Sequence, residues 1–564
     1  MKKRVVLAGA AALTVLTLLA GCGGGTGKSG PAGPTTAGTK TPITFTFYND
    51  ELTQDLPFTD PVARKIQEAT GVTLNVTHPV GGDTQGVSLM LASGDLPDFI
   101  YNRGGLPTFL DAESVIPLDD LIDQYGPNIK KLYGPYFNHM RYSTADPQIY
   151  QFPAYQVRTS YWETDGIIQI QHAVLKELGY PRMHSLQDVE NALKAYYRAH
   201  PTIDGQPTLP ISIPFSGYGW LFSIGNAAGF VAGWPDDGEY VVDQETLQTT
   251  FKWVLPEMRD YPKWLNRMYN EGLVDQEIFT MTNDAFMAKI AAGRVLATSL
   301  PRWYYATAMT SLRGDNKPER TFAPLPIVAN DRVDSRLMVD FGFGGGWGIM
   351  VTTACKDPAR LVEFFDYLCS EEGQILVNWG IEGENYDIID GKRVMQADDW
   401  TAMQTDQDFS RKTGVASAGF GGSSGWSYPF PQYGNAYIDS TGNYITPLSP
   451  DVIKDTYTPI ERETLKAYGL DMWTDFFKKP TELPVQRHGR AFEYNLDPET
   501  SSTFTQLYDV IANNLGQIIM APTADFDKMW QAMIDELYVV GVEEVNTKMT
   551  ALIRDKVALW EGSY

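Results

Sequence analysis

Cysteine is almost missing. Three residues, Cys22, Cys355 and Cys369, occur in 564, which excludes a disulfide framework and a thiolate zinc site. Cys355 and Cys369 are either one bridge or two buried thiols. Positive charge is also short: 45 Lys and Arg face 69 Asp and Glu, a net charge of −24. A nucleic-acid binder needs a cationic face, and so does a protein held to anionic lipid by charge, so both classes are excluded. The six histidines, His78, His139, His172, His184, His200 and His488, are scattered without an i, i+4 metal pair, which argues against a metalloenzyme. Past the first 21 residues no stretch is long and apolar enough to span a bilayer, and there is no internal repeat or coiled coil.

What is present reads as a globular chain, with 43% hydrophobic and 20% charged residues. By length alone it holds roughly three to four domains, or fewer large ones. Its N-terminus carries an export signal: Lys2, Lys3 and Arg4, then a mostly apolar run from Val5 to Ala20. Leu19-Ala20-Gly21-Cys22 resembles a bacterial lipobox, in which the cysteine is acylated and becomes the first residue. Residues 1–21 are therefore expected as a lipoprotein signal peptide, and Cys22 as the lipidation site. Residues 22–40, rich in Gly, Thr, Pro and Ser, are expected as a flexible tether of roughly 20–25 Å reach.

From residue 41 the pattern is α/β. Ile43, Phe45 and Phe47 alternate with Thr44 and Thr46; Asp60-Pro61 opens a helix that Gly71 closes; Val72, Leu74 and Val76 alternate again. Strand, helix and strand in so short a span predict a parallel βαβ unit. Ligands sit at the carboxyl ends of such strands, which makes Tyr48, Asn49 and Asp50 a candidate site edge. Helices are predicted after Asp357-Pro358, with Leu361, Phe364, Phe365 and Leu368 on one face, and from Phe526 to Leu537.

Several segments in order then resemble one family. They are Ala92-Ser93-Gly94-Asp95-Leu96-Pro97-Asp98, Gln151-Phe152-Pro153, Ile167 to Gly179, Trp264 to Asp275, Ala292-Gly293-Arg294 and Lys356-Asp357-Pro358. Ser370 to Gly373, Trp379 to Gly383 and Met520-Ala521-Pro522-Thr523 complete the set. Together they are similar to the extracellular solute-binding proteins of ABC importers, of the sugar type and its large lipoprotein branch. The resemblance implies an α/β, two-lobed, periplasmic-binding-protein-like fold with a hinge and an interlobe cleft. It implies lobe 1 over 41–157, lobe 2 over 158–341, a return to lobe 1 over 342–395, and a mainly helical lobe 2 tail over 396–564. Chain crossings would fall near Tyr155 to Glu163, near Gly342 and around residue 395.

A sugar presents apolar C–H faces to flat rings and hydroxyls to carboxylates, Arg and amides. In Arg302-Trp303-Tyr304-Tyr305, Trp303 resembles the family's sugar-stacking aromatic; Arg302 and Tyr305 stand beside it. Further candidate ligand contacts are Trp220 in a Gly-rich aromatic loop, Trp347 after Gly342 to Gly346, and Trp426 after Gly421 to Gly425. Trp162, Glu163 and Asp98 complete the set, each weighed against an ordinary core or turn role. The branch often carries a calcium loop, but the matching stretch, His200 to Pro210, offers one carboxylate, Asp204, too few for calcium. No metal and no cofactor are expected.

Enzyme readings fare less well. Gly421 to Gly425 satisfies GxSxG around Ser423, and His488 follows in hydrolase order, but Trp426-Ser427-Tyr428-Pro429 cannot start the required helix. Glu371-Glu372, Asp236-Asp237 and Asp398-Asp399 are adjacent pairs that point apart, whereas glycosidase chemistry needs two carboxyls flanking one bond. The expectation is a monomeric, non-enzymatic receptor, lipid-anchored on the extracytoplasmic face, that takes a solute, an oligosaccharide in the first instance, to an ABC importer permease. A receptor for peptides or another polar solute and a surface glycan hydrolase are the alternatives.

Overall fold

Alternation decides the first strand. Phe45 and Phe47 are buried while Thr44 is exposed, in β1 (Ile43–Asn49). The following helix α1 (Pro61–Thr70) begins as its residues dictate. Asp60 accepts the amide of Ala63 at 2.8 Å, proline fixes the first helical φ, and Gly71 ends the helix at φ 71° with its N–H on Gln67 O. The computed structural model describes residues 41–564 except 53, 80–82, 158–163, 407, 417–425 and 428–429. The signal, the tether and Cys22 lie outside the described residues.

Two sheets carry the fold. The first joins β1, β2 (Leu56–Pro57), β3 (Val72–Thr77), β4 (Phe99–Tyr101) and β5 (Gln151–Pro153) with a later strand, β10 (Gly348–Val351), in the order β2-β3-β1-β4-β10-β5. Strands β3 and β4 pair parallel with β1, whereas β10 runs antiparallel to β4 and β5. The second sheet holds β6 (Ile168–Gln171), β7 (Leu209–Ile211), β8 (Val295–Thr298) and β9 (Phe322–Leu325), in the order β7-β8-β6-β9. There β7 and β8 are parallel and β6 is antiparallel to both its neighbours. Both sheets are therefore mixed, not wholly parallel.

Each sheet has its own core. One holds Phe45, Phe47, Phe99, Phe152 and Ile349 with the face of α2 (Pro358–Leu368). The other holds Ile168, Ile170, Val295, Leu296 and Phe322 with three long helices, α3 (Pro498–Met520), α4 (Phe526–Val540) and α5 (Val542–Glu561). Core membership switches between Val157 and Ile167, between Met338 and Phe343, and between Ile445 and Leu448. The last switch corrects the crossing expected around residue 395. Met403, Phe409, Val415, Trp426, Phe430, Tyr433 and Ile445 pack into the first core, so lobe 1 extends about 50 residues further than the reading allowed.

Just past the second crossing, the chain meets the segment around Gly489 backbone to backbone. A Cβ on Gly489 would stand 2.4 Å from Gly344 Cα, and one on Gly346 would stand 2.7 Å from Glu493 Oε2. Both glycines have positive φ, 67° and 51°, so the close approach and the left-handed backbone both require glycine there. Cys355 and Cys369 are separate buried thiols. No helix among the described residues is long and apolar enough to cross a membrane.

Candidate functional site

The parallel strands β1 and β4 end at Asn49 and Tyr101, and antiparallel β10 begins at Gly348, so their loops meet on one sheet edge. Asp50 accepts from Asn102 Nδ2 and from the Arg103 amide, both at 2.9 Å. Arg103 in turn pairs with Glu51 at 3.0 Å and lies 5.8 Å from the ring centroid of Trp347. Trp347 is half-buried and its ring meets Phe492 edge-on at 5.9 Å.

The second sheet has strand-end loops of its own. β8 runs into the turn Arg302–Tyr305, and β7 runs through Tyr218 into a wide helical turn, Leu221–Asn226. Ser299 Oγ ties the two together: it donates to Ser223 O at 2.6 Å and accepts from Tyr261 Oη at 2.8 Å. This holds Phe222 against Trp303, ring centroids 5.2 Å apart, with Tyr304 5.7 Å from Trp303. Trp303 remains 54% exposed and Tyr218 69% exposed. Water does not favour so large an exposed indole, and a flat ring held on a rigid ring platform suits a sugar face.

The segment Gln486 to Asn495 touches both lobes. His488 and the amide of Ala491 bond both oxygens of buried Asp237, which fixes the segment to lobe 2. Phe492 packs over Gly238, where a Cβ would stand 2.5 Å from Phe492 Cβ, and on its far side meets Trp347. Glu493 lines a small cavity with Leu106, His139, Tyr142, Gln151 and Lys556. Burial pushes the Glu493 carboxyl up to about 7; Arg490 opposes this, and Asp236 and Asp237 add to it. In the same cavity burial lowers Lys556 to about 8 and His139 to about 4. Asp165 is raised by burial, against the Arg302 amide it accepts at 2.9 Å, with a further push from Asp236.

The structure separates the residues singled out from the sequence. Trp303 lies after a strand of the second sheet and Trp347 directly before a strand of the first, each at a strand end. Trp220 is 3% exposed, meets Trp253 and Tyr508, and is a core residue. Trp426 is 2% exposed, donates its indole N–H to Asp60 at 2.7 Å and packs on Phe58; it closes the end of α1. Tyr305 is fully buried against Phe322. Arg302 turns inward, its guanidinium 3.9 Å from buried Glu461. Asp98 is a turn residue: its carboxylate accepts the amide and hydroxyl of Thr46 at 2.7 and 2.8 Å and the amide of Lys356 at 3.2 Å. Tyr48 is buried under the sheet beside Val87 and Met350, and Asn49 is fully buried with its side chain capping the Glu51 amide at 3.0 Å. Trp162, Glu163 and the Ser423 motif lie outside the described residues. Asp204 pairs with Lys317 at 2.9 Å, and no cluster of three or more metal-ligating side chains occurs among the described residues.

Sequence reasoning missed Glu51, Arg103, Phe222, Tyr304 and Phe492 as site residues. Strand-end position, followed to the ends of β4 and β7, would have reached Arg103 and the Phe222 turn; Phe492, in the short turn Ala491–Glu493, carries no such signal.

Comparison with known proteins follows the same outline. The family model described as bacterial extracellular solute-binding protein matches residues 62–379. The fructooligosaccharide ABC transporter substrate-binding protein FusA of Streptococcus pneumoniae is 24% identical over 340 residues, 57% of this chain and 60% of that protein. Lipoprotein LipO of Bacillus subtilis is 22% identical over 347 residues, 59% of this chain and 65% of LipO. The chain thus matches less than two thirds of the length of either curated relative. Among solved structures, FusA in complex with kestose aligns with TM-score 0.64 at 17% identity, covering 91% of this chain and 99% of FusA. The alginate-binding protein AlgQ2 without calcium ion aligns with TM-score 0.62 at 20% identity, covering 92% and 99%. The fold is the two-lobed one of periplasmic binding proteins.

Proposed function

This chain belongs to the bacterial extracellular solute-binding proteins, and from that premise we propose that it captures an oligosaccharide between its lobes and delivers it, unaltered, to an ABC importer. The exposed Trp303, braced by Phe222 and Tyr304 at a sheet edge, is the observation that carries the reading. Trp347 at the start of the first sheet's strand β10 gives a second flat ring. Ligand binding then shifts the population toward the closed form that a permease recognises. The names of relatives that bind fructooligosaccharide and alginate support a saccharide over a peptide. Acylation at Cys22 would hold the receptor at the outer face of the cell membrane, as the name of LipO also suggests; the protein acts as a monomer and needs no catalysis.

The test is to incubate residues 41–564 with a glycan panel and follow tryptophan fluorescence, melting temperature and product release. A receptor gains stability with ligand by mass action, about 2.7 kcal/mol at a hundredfold excess over Kd, and leaves the sugar intact. Release of shortened glycan would establish the hydrolase alternative instead.

A further inference from the structure

Glu461 divides its carboxylate between two jobs. Oε2 accepts the amide and the hydroxyl of Thr458 at 2.8 and 2.7 Å, which closes the capping box of the helix Pro459–Tyr468. Oε1 faces two guanidiniums, Arg302 Nη2 at 3.9 Å and Arg313 Nη2 at 3.8 Å. Glu461 itself is buried, and both arginine side chains are largely so. Arg302 opens the turn Arg302–Tyr305 that carries Trp303, and Arg313 lies in the last turn of the helix Ala306–Gly314 that follows it. One buried carboxylate therefore holds the chain on both sides of Trp303.

The helix that supplies Glu461 is fixed by contacts of its own. His172, directly after β6, places Nδ1 2.8 Å from Thr464 Oγ1, and Tyr468 Oη donates to Pro181 O at 2.9 Å. Burial alone would raise the Glu461 carboxyl; Arg313, Arg302 and His172 hold it below its ordinary value, so it stands ionised between the two guanidiniums. The backbone of the turn is held separately, by the Arg302 amide on Asp165 at 2.9 Å. Neighbours in a 3₁₀ turn point about 120° apart. A turn whose Arg302 is drawn inward by Glu461 thus presents Trp303 outward, onto Phe222 and Tyr304.

We propose that Glu461 is a positioning residue for the ligand site: through Arg302 it sets the outward face of Trp303, without touching the ligand itself. This rests on the reading of Trp303 as the ring that stacks on a saccharide. A neutral side chain at 461 leaves two largely buried guanidiniums without that countercharge. A buried cation that loses its partner is costly and relaxes toward water. Arg302 reaches water by rolling the turn, and the roll displaces the Trp303 ring beside it.

The experiment measures Kd of residues 41–564 for kestose, maltotriose and mannotriose in wild type, Glu461→Gln, Arg302→Met and Arg302→Lys, each with and without Trp303→Ala, with melting temperature as the check on folding. In the ligand-free protein, the emission of Trp303 and its quenching by acrylamide are isolated as the difference between each form and its Trp303→Phe counterpart. Glu461→Gln and Arg302→Met should each shift that emission and weaken binding by roughly tenfold, and Arg302→Lys, which keeps the charge, should lie nearer wild type. In the Trp303→Ala background Glu461→Gln should change affinity by less than about twofold, because its effect runs through the ring. Should Glu461→Gln fail to fold, Arg302→Met carries the same test. Unchanged affinity, unchanged Trp303 emission, or a loss that persists in full without Trp303 each overturns the positioning role while the receptor reading stands. If wild type binds none of the sugars, the saccharide reading falls and the emission alone decides the role of Glu461: a shift supports it, and no shift overturns it.

Discussion

Two tryptophans chosen by the same sequence logic behave oppositely in the structure, and the difference is burial. Trp303 is 54% exposed, Trp220 3%. Trp303→Ala should therefore lower saccharide affinity by roughly tenfold or more, in keeping with a stacked aromatic worth about 1–3 kcal/mol, and leave the melting temperature nearly unchanged. Trp220→Ala should remove about 3–5 kcal/mol of stability by opening a cavity beside Trp253, seen as a lowered denaturation midpoint. Glu493 gives a pH signature. Its carboxyl is raised from the ordinary 4.5 to about 7 by burial, with Asp236 and Asp237 adding and Arg490 opposing. A raised group contributes its stability fully below about pH 4.5 and loses it as pH rises through about 7. Glu493→Gln should match wild type in melting temperature at pH 4 and exceed it at pH 8; equal values at both would contradict the raised carboxyl.

Elements with local rules were legible. The cap of α1 by Asp60, the stop at Gly71 and the apolar face of α2 all follow from residues adjacent in sequence. The long stretch from β10 to Ile445 was not: it has short hairpins and turns, no sustained period, and is placed by contacts such as Trp426 to Asp60, 366 positions apart. The same limit hid the site. Strand ends pointed to Asn49, whose side chain the structure buries, but the sequence could not show that Trp220 and Tyr305 turn inward while Phe222 and Trp303 meet, because that depends on the tie through Ser299. The close approach of Gly344 and Gly489 is the place most sensitive to side-chain bulk. Gly489→Ala combines a φ of 67° with a Cβ 2.4 Å from Gly344 Cα, so it should destabilise the chain by about 1–3 kcal/mol or displace one of the two segments. Chemical denaturation compared with an Ala at Gly391, where φ is also positive but no atom lies within 4 Å, separates the contact from the backbone strain.

At the scale of the whole molecule, two mixed sheets with separate cores, three changes of core and an exposed indole at the end of a strand suit the proposed receptor, which would hold a sugar and release it unaltered. The overall architecture could be expected from ordered motifs alone, since those motifs mark strand–helix junctions spread across both lobes; the extent of each lobe could not. Native mass spectrometry of residues 41–564 after incubation with a neutral glycan panel tests this most directly. The account predicts a one-to-one complex whose bound saccharide keeps its full mass. Free protein at every ligand, or bound and released fragments of lower mass, would contradict it.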